Sequence, residues 1–130
     1  MRNLIKGLAL ALSTSFIVAC GGGGPVGAAL NHELAMLKIV EANKTDAAKA
    51  ATELEVYVKT NEADLKTVKE GMEKLKAEAK DDMSKVADII KANAGKMKEV
   101  SDLKEKLRAE AKDVYNDDKV SDLLHSVRSM

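Results

Sequence analysis

From Ala47 to Ala79 the apolar residues recur in steps of four and three: Ala47, Ala51, Leu54, Val58, then Leu65, Val68, Met72, Leu75 and Ala79. Asn61 fills the one slot where an apolar side chain is due. This spacing lines one face of a helix and is the seam pattern of helices that pack lengthwise against others. Nothing downstream opposes it, because Pro25 is the single proline of the chain and the strong helix formers Ala, Lys, Glu, Leu and Met dominate the residues after it. The expected fold class is all-α, a helical bundle or long helical hairpin of three to four helices.

A first helix is expected from about Ala28 to Ala42, with Leu30, Leu34, Leu37 and Val40 on one face. Asn43-Lys44-Thr45-Asp46 interrupts it, and Thr45 or Asp46 supplies the side-chain oxygen that caps the next helix. The seam then reads either as one helix of ~50 Å at 1.5 Å per residue or as two pieces broken at Thr60-Asn61-Glu62, where Asn61 and Asp64 resemble a capping arrangement. Its phase slips near Asp81 to Met83 and resumes at Val86 and Ile90. Asn93-Ala94-Gly95 is the predicted second long turn, with Gly95 closing a helix. Beyond it Met97, Val100, Leu103, Leu107, Ala111 and Val114 form another stripe, and a last helix over Lys119 to Arg128 carries Val120, Leu123, Leu124 and Val127.

Each segment has one apolar face and must bury it against a neighbour or a second copy. The alanine-rich seam buries less area than leucine would, so dimerisation through helical faces is an expected source of stability. Pairs such as Glu55-Lys59, Glu62-Lys66, Glu70-Lys74, Asp81-Lys85 and Asp102-Lys106 have the spacing of solvated intrahelical ion pairs.

Ahead of the helical region, Met1-Arg2-Asn3 and Lys6 give a positive start, and an apolar run then reaches Val18 with only Gly7, Ser13, Thr14 and Ser15 interrupting it. This is the layout of a secretory signal, and the run after Lys6 is shorter than the ~20 residues of a spanning helix. Ile17-Val18-Ala19-Cys20 sets a small residue directly before the only cysteine of the chain. The stretch resembles the lipobox of bacterial lipoproteins. That resemblance implies cleavage before Cys20, a lipid on its sulfur and attachment of the protein to a membrane by two or three acyl chains, enough for durable tethering. In the same family an aspartate after the cysteine marks inner-membrane retention. Gly21 stands there instead, so the resemblance implies the outer membrane of the cell envelope. The expected organisation is a signal over 1–19, lipidated Cys20 with a non-helical Gly-rich tether over 20–28, and a helical bundle over 29–130.

The stretch Ile39 to Leu65, through Asn43, Asp46, Leu54, Tyr57 and Asn61, is similar to a group of uncharacterised exported bacterial helical proteins, a likeness that implies no activity. Lipobox plus heptads is also similar to the short lipoproteins that staple the outer membrane to peptidoglycan. Their terminal lysine has no match in Arg128-Ser129-Met130.

Charge and composition narrow the function further. The full chain balances 21 basic against 21 acidic residues, and loss of Arg2 and Lys6 with the signal leaves 19 against 21. With no basic excess, no Trp, and Tyr57 and Tyr115 the only aromatic residues after Phe16, no nucleic-acid partner is expected.

The candidate ligands are His32 and Met36, one helical turn apart, and His125 in the last helix. A Met/His pair on opposite helices would resemble the axial ligation of four-helix cytochromes. Neither histidine follows a glutamate at the spacing of a carboxylate di-metal site, His32-Glu33 lacks the second histidine of a zinc protease, and no Gly-x-Ser-x-Gly occurs. No catalytic residue, metal or cofactor is therefore expected. The leading expectation is a non-catalytic, lipid-anchored protein with a structural or protein-interaction role. The alternative is a carrier of a small apolar ligand, lipid or haem, its interior softened by the five methionines after Met1. A third reading is a surface adhesin or partner-binding lipoprotein in which Asn61, otherwise a helix cap, sets register or recognises a partner.

Overall fold

The computed structural model describes residues 24–128, and the expected signal and Cys20 lie outside them. The described residues are all-α: α1 (Gly24–Ala42), α2 (Ala47–Thr60), α3 (Glu62–Ala79), α4 (Met83–Glu110), the single turn α5 (Lys112–Tyr115) and α6 (Asp118–Arg128). The number of pieces exceeds the three to four expected because the seam breaks at Asn61 and the last long helix breaks again at Ala111.

Helix α1 is the hub. It packs against α2, α3, α4 and α6, and its contact with α4 is the most extensive in the molecule. Met36, Leu37 and Val40 of α1 are wholly buried beside Leu54 of α2, Leu107 of α4 and Val120 of α6. The direction of α1 is set by its contacts with α3. Pro25 lies beside Gly71 and His32 beside Asp64, so the two helices run antiparallel in register. Lys104 to Glu33 and Lys106 to Glu41 are ion pairs that stitch α4 to α1.

Helix α1 begins at Gly24, four residues before the expected start, and this corrects the reading of Gly24 to Gly27 as non-helical tether. Pro25 stands in the first turn, where its missing N–H would have had no helical partner and its fixed φ suits the helix. Gly24 enters with φ +66, a conformation that glycine adopts without strain. The capping expected at the first corner is present: Asp46 accepts from the Lys49 amide at 3.0 Å. Buried Asn43 ties the corner from inside, donating from Nδ2 to Ile39 O at 2.9 Å and to a Glu53 carboxylate oxygen at 2.6 Å.

The second long turn is at Lys80–Asp82, and α4 passes through Gly95 without interruption. Asp82 decides this. Its carboxylate accepts from the Ser84 and Lys85 amides at 3.1 and 3.2 Å and from the Ser84 hydroxyl at 2.6 Å, a strong helix start. Gly95 costs about 1 kcal/mol in a helix interior, less than a second break would cost in lost backbone hydrogen bonds.

Members of three of the five expected intrahelical pairs take other partners. Glu55 meets Lys119 of α6, Lys85 meets Glu78 across the turn, Lys106 meets Glu41 of α1, and Asp102 meets Lys98. Three of the four connect separate elements, which ties helices together where an intrahelical pair would stabilise only one.

Candidate functional site

The chemistry-bearing residues that the fold brings together are Tyr57 of α2, His32 of α1 and Asp64 of α3. Tyr57, Asn61 and Asp64 are spaced by four and three, so they form a polar row that shares Asn61 with the apolar seam, and packing turns this row toward α1. His32 inserts between the two ends of the row and is 0% exposed. Its Nδ1 lies 2.7 Å from the Tyr57 hydroxyl and its Nε2 lies 2.7 Å from Oδ2 of Asp64. The rings of His32 and Tyr57 meet edge-on, with centroids 5.9 Å apart and planes at 72°.

One proton arrangement satisfies every atom with a neutral imidazole. The Tyr57 hydroxyl donates to Nδ1, and Nε2–H donates to the Asp64 carboxylate. The carboxylate end of the array is the part nearest water, since the Asp64 side chain keeps 30% of its exposure. Asn61 sits under the array, donating from Nδ2 to Tyr57 O at 2.8 Å while its own amide reaches the same carbonyl at 3.0 Å. It makes no side-chain cap on α3, so the capping arrangement expected with Asp64 does not form and Asp64 is taken by His32.

The order hydroxyl, imidazole, carboxylate is that of a nucleophilic triad, but here the hydroxyl is enclosed by the packed helices. Burial, and then the negative charge of Asp64, push the Tyr57 hydroxyl well above its ordinary value of 10.0. A nucleophile activated by its base must still reach a substrate, and Tyr57 is buried beside a wholly buried His32. What the array does perform is mechanical. It pins α1 to α2 with one hydrogen bond and to α3 with the other, on both sides of the break at Asn61 (φ −103, ψ 15).

The other candidates are dispersed. Met36 is wholly buried in the apolar core, and His125 is exposed on α6. Both nitrogens of His32 are committed to protein partners, which leaves it no lone pair for an iron. Among the described residues no three or more His, Cys, Asp or Glu side chains cluster as a metal would require. The sequence marks His32 as a candidate but does not pair it with Tyr57 and Asp64. The signal is the polar four-three row, which crosses the apolar seam at Asn61 and is masked by it.

No family model, curated protein or solved structure matches the chain.

Proposed function

We propose that this chain is a lipid-anchored protein of the bacterial envelope, held at Cys20 in the outer membrane, with a non-catalytic structural or protein-interaction role. The observation that carries the proposal is Ile17-Val18-Ala19-Cys20 at the end of a short apolar run. Two features support it. Helix α1 begins four residues after Cys20, so the bundle would follow the anchor almost directly. The most elaborate polar array of the described residues is a closed clamp between helices rather than an open reactive centre. The bundle then acts as a stiff body presenting its helical faces to a protein partner or to a second copy.

The deciding experiment is the intact mass of the protein recovered from washed membranes. The expected species begins at Cys20 and carries diacylglyceryl mass, with or without a further acyl group, and fractionates with the outer membrane. A species beginning elsewhere, or one lacking acyl mass, overturns the proposal.

A further inference from the structure

Two features of the hairpin formed by α3 and α4 point to the same surface. The first is where α1 stops. Pro25 lies beside Gly71, so the part of the hairpin beyond Gly71 continues past the start of α1 without α1 to cover it. The second is a strip on α4. Met83, Ala87, Ile90 and Ala94 recur in steps of four, three and four, hence on one face, and all four are exposed. Met83 keeps 76% of its surface and Ile90 51%, and they are the large exposed hydrophobics of the described residues. Val86 and Ile89, on the neighbouring face, are partly buried. Lys91, four residues after Ala87 and exposed, borders the strip.

The length of chain before α1 says what covers the strip. Four residue steps separate Cys20 from Gly24, a reach of at most ~14 Å whatever path they take. Residues 72–79 of α3 extend ~12 Å beyond Gly71, and the turn at Lys80–Asp82 extends further. An anchor at Cys20 therefore leaves at most a few ångströms between the headgroup layer and the tip of a hairpin that projects from the same end of the bundle. We infer that the strip Met83, Ala87, Ile90 and Ala94 docks on the lipid surface of the membrane that holds Cys20.

This inference rests on the proposed anchor, which also explains why so small a strip suffices. Two large side chains and two alanines would not recruit a free protein to a bilayer. The tether makes their contact intramolecular, at the millimolar effective concentration typical of short linkers. Lys69, Lys74, Lys80, Lys85 and Lys91 are offset by Glu70, Glu73, Asp81, Asp82 and Asp88 along the hairpin, so the contact is apolar and interfacial rather than a demand for anionic lipid.

The test uses the acylated full chain in vesicles of phosphatidylethanolamine with a minority of phosphatidylglycerol. Three variants, Met83→Cys, Ile90→Cys and Thr45→Cys, each carry one environment-sensitive fluorophore. Thr45 is exposed at the opposite end of α1, and all three sites tolerate substitution without touching the core. Labels at 83 and 90 are expected to emit to the blue of the label at 45 and to be quenched at least about twofold more by headgroup spin-labelled lipid. Equal quenching at the three positions in protein that floats with the vesicles overturns docking and leaves the anchor standing. Self-quenching at 83 that grows with protein density, without lipid quenching, overturns it in favour of a second copy. Protein that does not float overturns the anchor and this inference together.

Discussion

Removing one oxygen from the clamp tests its energetics directly. Tyr57→Phe keeps the ring, which is buried against the core, and deletes the hydroxyl 2.7 Å from Nδ1 of His32. His32 is 0% exposed, so no water replaces the lost donor, and a buried acceptor without its partner costs about 1–3 kcal/mol. The ring-edge contact and apolar burial are unchanged, leaving the hydrogen bond as the dominant loss. For a domain of this size the Tm is expected to fall by about 5–15 °C. The magnitude depends on His32 being there to be left unpaired. In a His32→Leu background, where the partner is apolar and of similar size, Tyr57→Phe is expected to cost less than about 0.5 kcal/mol or to stabilise. The assay is urea unfolding of the four proteins of this cycle, followed by circular dichroism at constant pH. Equal costs of Tyr57→Phe in the two backgrounds would refute the reasoning, because the hydroxyl would then be acting on something other than His32.

Alkaline pH probes the same hydroxyl by a different route. Its folded value lies above the ordinary 10.0, so the folded protein holds a proton that the unfolded chain releases; the stabilisation is complete below pH 10 and declines above it. Unfolding free energy measured across that range should fall more steeply for the native protein than for Tyr57→Phe, and parallel slopes would contradict the assignment. Gly95→Ala, exposed in mid-helix with nothing within 4 Å of the new Cβ, is expected to stabilise by about 0.5–1 kcal/mol, read as a rise in Tm. Gly71→Ala has the same helical benefit but places its Cβ 2.9 Å from Pro25 Cγ, on a ring that cannot swing aside, so it should gain less than Gly95→Ala or destabilise. Asp82→Ala removes the acceptor for the Ser84 and Lys85 amides and is expected to cost about 1 kcal/mol, with faster amide exchange confined to the α3–α4 turn.

The all-α class and the first corner are legible in the sequence because they rest on local chemistry. Asp46 caps α2 through a residue three positions away, and Leu54, Leu107 and Val120 each belong to an apolar stripe that needs no knowledge of packing to recognise. The features that escape are decided by competition or by distance. Gly95 looks like a helix end until it is weighed against Asp82, which passes for plain solvated surface within its charge run although it holds the stronger start signal. Gly24 and Pro25 look like tether because Pro25 breaks helices everywhere except at their first turn. The clamp joins residues 25 and 32 positions apart, and no periodicity within one helix announces a partner on another.

The hub position of α1 has a consequence for the order in which this molecule comes into being. The helix against which four others pack is also the first of the described helices to be made. Met36, Leu37 and Val40 find part of their cover in α2 and α3, but their enclosure is completed by Leu107, Val120 and Leu124, near the other end of the chain. At ~5–20 residues per second, seconds pass between synthesis of the two surfaces. Over that interval the nascent chain holds an uncovered apolar helix and no finished core. Such a chain stays open to holding factors and to threading through a narrow channel until the eleven residues of α6 arrive.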